Sequence, residues 1–271
     1  MKKAIFAVLL ILVLGVFLFS GWKVLSTIWE YKAGEDFYAD LEQFISVPEP
    51  QETKPEAEKQ NPPSKKEEKP APEAQPDIED EVVWPKVDFD ALLALNPDVV
   101  GWLYIPGTRV NYPVLQGDTN DSYIYRLMTG EYNSSGSIFL EAGISPEFTS
   151  RNNPIYGHHM KNGTMFADVA DYRDQSYYDA HPYALLLTPE KNYYVRIFSG
   201  YVTDTWDDVW DTAFSEAEFA QWLEKASRNS YFDADVIPTP SDRIVTLSTC
   251  TYEYDNARFV VHGILEACDG E

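Results

Sequence analysis

A mainly β domain, an antiparallel barrel or sandwich preceded by a transmembrane helix and a disordered linker, is the fold class the sequence predicts. Three observations carry it. Residues 4–22 hold no charged side chain and are rich in Leu, Val, Ile and Phe, and roughly 20 apolar residues are enough to cross a bilayer as a helix. Residues 48–81 are almost wholly Pro, Glu, Lys, Gln and Ala, a composition that cannot bury enough apolar surface to offset chain entropy. Beyond them, short runs of β-branched and aromatic residues are separated by Gly, Pro, Asn and Asp, the pattern of many short strands.

The N-terminal anchor covers 1–23. Lys2 and Lys3 precede the apolar run, so the positive-inside rule keeps the N-terminus cytoplasmic and sends the rest of the chain outside a cell membrane it crosses once. A removable signal peptide is the rival reading, but the run ends Phe-Leu-Phe-Ser-Gly-Trp22 without a small-x-small cleavage site. In 24–47, Phe37, Leu41, Phe44 and Ile45 recur at helical spacing, which predicts a juxtamembrane helix stopped by Pro48. Residues 48–81 then form a tether of roughly 30–40 Å root-mean-square reach or more, and the domain at 82–271 is expected to stand off the membrane on it.

Within that domain, Asp88 reads as the N-cap of a short helix that stops at Asn96 before Pro97. Strand-like runs follow at Val99–Ile105, Val110–Leu115, Ser137–Leu140, Pro154–Tyr156, Tyr183–Leu187, Tyr193–Val202, Ile244–Thr249 and Phe259–Leu265. Gly163–Ala170 and Ser215–Ser227 read as helical. The second opens on a capping box in which Ser215 is paired with Glu218.

A net charge of −23 excludes general nucleic-acid binding, which needs clustered Lys and Arg against phosphate. The last two strands form a hairpin through Tyr254-Asp255-Asn256, so Cys250 ends one strand and Arg258 begins the next. Such a pair sets a potential thiolate nucleophile beside a fixed positive charge that can stabilise an oxyanion. An exported chain with two cysteines also admits a Cys250–Cys268 disulfide. Of the four histidines, His181 reads as a turn residue and His262 as a packed strand residue. His158 and His159 follow Gly157, which relaxes the backbone just before them. In a continuing strand the two would face opposite ways, so only one can address Cys250. No residue set shows metal-ligand spacing, and no cofactor is called for.

Tyr156-Gly-His158-His-Met160, Thr246-Leu-Ser-Thr-Cys250 and Arg258 together resemble the signature of the sortases, membrane-anchored cysteine transpeptidases of Gram-positive cell walls. The stretches Asp88–Trp102, Thr108–Gln116, Gly136–Leu140 and Lys161–Phe166 resemble class B in particular. The resemblance spans Asp88 to Leu265 and implies an eight-stranded sortase-type β-barrel with peripheral helices.

It also implies roles. Cys250 is the nucleophile on a Thr–X carbonyl of a C-terminal sorting signal, His158 the acid/base, and Arg258 the holder of the oxyanion or substrate backbone. The backbone amide of Thr251 is a second oxyanion donor. Asn120, Ile124 and Ser248 match the walls of the family's groove, and Thr205 and Trp210 fall in the loop that lines it. The partners implied are a surface protein carrying an Asn-Pro-x-Thr-like or related pentapeptide, and an amine from a peptidoglycan precursor or a pilin. One departure is that Thr251 stands where family members often carry an acidic residue, with Glu253 and Asp255 further on, so no third group orienting His158 is assigned. Two other readings stay open: an exported cysteine peptidase or L,D-transpeptidase, and a non-catalytic wall-binding module with a Cys250–Cys268 disulfide.

Overall fold

Alternation of buried side chains along the eight short runs, one set facing inward and the other outward, lets them close on themselves instead of stacking as open sheets. The computed structural model describes residues 2–48 and 82–268. In chain order they form α1 (Lys2–Leu41), β1 (Ile45–Ser46), β2 (Lys86–Val87), α2 (Phe89–Leu95), β3 (Val99–Tyr104), β4 (Asn111–Leu115), β5 (Ile138–Leu140) and β6 (Asn152–Tyr156). There follow α3 (Gln175–Ala180), β7 (Tyr183–Leu187), β8 (Asn192–Asp204), α4 (Glu216–Asn229), β9 (Ile244–Cys250) and β10 (Ala257–Cys268). Strands β3 to β10 form a closed barrel in the order β10-β8-β7-β3-β4-β5-β6-β9. The β4–β5 and β6–β9 pairs are parallel and the other pairs antiparallel.

Along β9, Val245 and Leu247 join the lumen core with Phe259 and Val261 of β10. Ile244 instead joins Val260 and Ile264 in a second cluster outside the wall, under α4. That helix follows from its sequence. Ser215 Oγ accepts from the Glu218 amide while the Glu218 carboxylate accepts from the Ser215 amide, a complete capping box. Phe219, Trp222, Leu223 and Ala226 make the buried face, each large side chain stabilising the contact by roughly 1.5–3 kcal/mol. At α2, Asp88 accepts from the Ala91 amide at 3.0 Å. The expected helix at Gly163–Ala170 is displaced: a 3-10 turn occupies Asp168–Arg173 and α3 follows it.

The N-terminal half departs from expectation in a way that matters. The stretches expected as anchor and juxtamembrane helix are one uninterrupted helix, α1, because no proline lies between Trp22 and Leu41. Its far end packs on the barrel, with Tyr38 and Leu41, and Ile45 of β1 after them, buried in the main hydrophobic core cluster. The linker expected at 48–81 lies, but for Pro48, outside the described residues. Its two flanks are joined, since β1 pairs with β2 and the Asp88 amide donates to the Phe44 carbonyl at 2.9 Å. The residues that flank 48–81 thus lie together, and the C-terminal end of α1 is packed on the barrel.

Candidate active site

The hairpin β9–β10 sets the first two groups. Arg258 is the antiparallel partner of Cys250, so both side chains leave the same face of the sheet. The third group comes from the other flank of β9. Strand β6 runs parallel to β9 with Tyr156 level with Ser248, and the Gly157 amide donates to the Ser248 carbonyl at 3.1 Å. Two residues further along each chain stand His158 and Cys250. Thr246, Ser248 and Cys250 alternate with the lumen-facing Val245 and Leu247, so the cysteine opens on the barrel's outer wall beside the β8–α4 connection.

His158 is held from two sides. Its Nε2 lies 2.8 Å from the Ile124 carbonyl; a carbonyl only accepts, so Nε2 carries the hydrogen and Nδ1 keeps the lone pair in the neutral ring. The Tyr125 ring stacks on the imidazole with centroids 5.4 Å apart. Burial pushes the His158 pKa down, the Ile124 carbonyl opposes this, and the charge of Arg258 lowers it again. The net shift is downward, so the neutral base is favoured.

His159 turns to a different task. Its Nδ1 donates to the Cys250 carbonyl at 3.1 Å, and the Tyr252 hydroxyl donates to the His159 carbonyl at 3.2 Å. Gly157 serves the pair by close packing: a Cβ there would sit 2.5 Å from Ile138 Cδ1 and 2.7 Å from the Phe166 ring. The backbone freedom expected of it is not the reason for the glycine.

The remaining expected residues divide. Ser248 is buried beside the site, and its Oγ accepts from Trp210 Nε1 at 3.3 Å, which ties the β8–α4 connection to β9. Thr205 is exposed on the same connection. Ile124 contributes its carbonyl to His158. Asn120 is committed: its amide donates to both Glu141 oxygens at 2.8 and 2.9 Å and its Oδ1 accepts from the Ala142 amide. The Thr251 amide, expected as an oxyanion donor, instead donates to the Ala257 carbonyl at 3.1 Å. Hairpin closure takes that hydrogen, and this expectation is corrected. The Thr251 hydroxyl bonds to Glu253, and Glu253 accepts from Arg173 at 2.8 Å, bracing the turn that separates Cys250 from Arg258.

Cys268 ends β10 opposite Asn192, whereas Cys250 pairs near the start of β10. Ten residues of strand, about 33 Å, separate the two levels, far beyond disulfide reach; the bridge considered from the sequence is excluded. Among the described residues no group of three or more His, Cys, Asp or Glu side chains is gathered as a metal-ligand set.

Strand register sets Cys250 beside Arg258 in the wall of a closed eight-stranded barrel, and comparison with known proteins gives the class. Residues 103–266 match the sortase domain family. The chain is 35% identical to sortase B of Listeria monocytogenes over 260 residues, 95% of each chain. It superposes on a Staphylococcus aureus sortase B–substrate complex with TM-score 0.64 and 36% identity, covering 67% of this chain and 85% of that one. Sortase B of Bacillus anthracis in complex with AAEK1 superposes with TM-score 0.69 and 27% identity, covering 89% and 100%. The chain belongs to the sortase family, in its class B. It is a cysteine transpeptidase, and its family acts on sorting signals with amine nucleophiles.

Proposed function

We propose that Cys250, His158 and Arg258 carry the transpeptidation, on a chain anchored by the N-terminal part of α1 with the barrel outside the membrane. The Cys250 sulfur attacks the carbonyl of a Thr–X bond in the sorting signal. Its proton leaves through His158 and reaches the departing amine as the C–N bond breaks, and a thioester remains on Cys250. Arg258 faces the negative charge that develops on the carbonyl oxygen. An incoming amine, from a peptidoglycan precursor or a pilin, gives its proton to His158 and displaces the sulfur. The downward shift of the His158 pKa, caused first by burial, supports a neutral imidazole able to take that proton.

The observation that carries this reading is the double register on β9, with Arg258 opposite Cys250 on one side and His158 brought level with it by β6 on the other. Ser248, Trp210 and Thr205 line the wall along which an extended, Asn-Pro-x-Thr-like peptide lies, and the Asn120–Glu141 pair supports the neighbouring loop. The apolar stretch of α1, with mean hydropathy 2.1 over its most apolar window and no part of that window buried against the barrel, supports the single-pass anchor. The test is a peptide-library cleavage screen with the full chain in detergent, read by mass spectrometry with and without added amine. Amide products at Thr, formed only with amine present, support transfer; hydrolysis unaffected by amine would make the protein a peptidase.

A further inference from the structure

The helix that carries the anchor also touches the support of the candidate base. Near its C-terminal end, α1 lies against residues 133–137. Asn133 Nδ2 donates to the Glu30 carbonyl at 3.0 Å and the Ser134 amide to the Glu30 carboxylate at 2.9 Å. Gly34 allows this approach, since a Cβ there would stand 2.8 Å from Ser135 Oγ and 2.9 Å from Asn133 Oδ1. One turn on, the buried Tyr38 hydroxyl donates to the Gly136 carbonyl at 2.5 Å and lies 3.1 Å from Ser137 Oγ, with its ring edge-on to Tyr112 at 5.2 Å. A phenol wholly buried and spent on one backbone carbonyl fixes the position of that carbonyl.

Residues 133–137 in turn hold the segment that holds His158. The Ser137 amide donates to the Tyr123 carbonyl at 3.0 Å, the Asn133 amide to the Tyr125 carbonyl at 3.1 Å, and Ser137 Oγ to the Arg126 carbonyl at 2.8 Å. Gly136 adopts φ +57° and lies so close to this segment that a Cβ would fall 2.1 Å from the Ile124 carbonyl oxygen. That same oxygen accepts from His158, and the next residue, Tyr125, stacks on it. The contacts are continuous from Tyr38 through Gly136 and Ile124 to His158.

We propose that Tyr38 is a positioning residue for His158 and that α1 is an integral support of the active site, docked on the barrel whether or not residues 49–81 connect them. The positioning half rests on the transpeptidase reading; the docking half does not. Glu30 lies eight residues beyond Trp22, about 12 Å of helix, so the same contacts hold the barrel close to the bilayer at a fixed attitude.

The test uses the full chain in detergent with a specific protease site placed within 49–81. After cleavage, 82–271 is expected to co-elute with 1–48 on size exclusion; elution of 82–271 alone overturns the docking. In the uncut chain, Tyr38→Phe and Gly34→Leu are expected to lower kcat about tenfold with KM within about twofold. Unchanged kcat in both variants overturns the positioning, as does a loss that merely tracks lowered thermal stability. If the wild-type chain turns over no sorting peptide, the transpeptidase reading fails, and the relay is read at His158 itself by the pH midpoint of its imidazole NMR signals. Tyr38→Phe is expected to lower that midpoint, because the carbonyl contact favours the imidazolium; an unmoved midpoint overturns the relay.

Discussion

Arg258 stands directly opposite Cys250 in the β9–β10 ladder, and its charge also reaches His158, where it acts with burial to lower the pKa. The residue that pairs with the cysteine thus also bears on the imidazole, so its proposed role at the oxyanion is coupled to the protonation of His158.

Replacing that guanidinium has two separable effects. Arg258→Ala is expected to cut kcat/KM by roughly 10²–10³, the usual cost of losing an oxyanion partner. It also raises the His158 pKa, because a positive neighbour that disfavours imidazolium is gone. The pH profile of kcat/KM should therefore shift its His158 limb upward. Arg258→Lys restores the charge without the planar fork, so the limb returns while most of the rate does not. An unmoved limb in Arg258→Ala would separate the two groups.

The two adjacent histidines differ by what they hold. His158 presents a lone pair at Nδ1, whereas His159 spends its Nδ1–H on the Cys250 carbonyl. His158→Ala is expected to lose more than 10³ in kcat and His159→Ala about tenfold or less. Steady-state cleavage of one peptide by both variants checks the order, and the reverse order would transfer the acid/base role to His159.

The cysteines separate more sharply. Cys250→Ala should abolish peptide cleavage, and Cys268→Ala should leave nearly all of it, because Cys268 lies at the opposite end of β10. Intact-mass measurement after reaction with a thiol-specific alkylating agent, compared with and without reductant, checks the absence of a bridge. An equal loss of activity in both variants would revive the bridged scaffold.

What the sequence made legible was whatever a side chain must announce. All eight barrel strands fall on the runs of β-branched and aromatic residues, because both faces of that wall are covered, one by the lumen and one by α4 or loops. Asp88 and Ser215 cap the helices their positions foretell, and the hairpin that pairs Arg258 with Cys250 follows from its two strand-like arms. Backbone partners announced nothing. The group that orients His158 is the Ile124 carbonyl, which any residue would supply, and the Thr251 amide was lost to an Ala257 carbonyl equally silent in the sequence. Residues 48–81 read as a tether on composition alone; only the pairing of Ile45 with Val87 and the burial of Tyr38 show that their ends are held together.

A last consequence concerns acid stability and a histidine outside the chemistry. Asn152 spends its amide nitrogen on the Val209 and Asp211 carbonyls, so its oxygen accepts the Thr246 hydroxyl at 2.6 Å. That uses the only hydrogen of Thr246, and His262 Nδ1 must donate to it at 2.9 Å. His262 Nε2 is buried without a partner among the described residues, against Phe198, Tyr201 and Trp222. Burial lowers the His262 pKa to about 3, opposed by the more distant charge of Asp207. The folded state therefore binds fewer protons than the unfolded chain at any pH between the ordinary histidine value and about 3. Stability from this group is fully present above about pH 6.5 and is lost as pH falls, by up to ~1.4 kcal/mol per pH unit. His262→Gln is expected to lose stability at pH 7, since the buried site is matched to an imidazole, yet to fall less steeply on acidification. Urea unfolding of both chains at pH 7, 5.5 and 4 measures the difference, which cancels the carboxylates common to both. Parallel decline of the two would mean that His262 is already protonated, or hydrated, in the folded barrel.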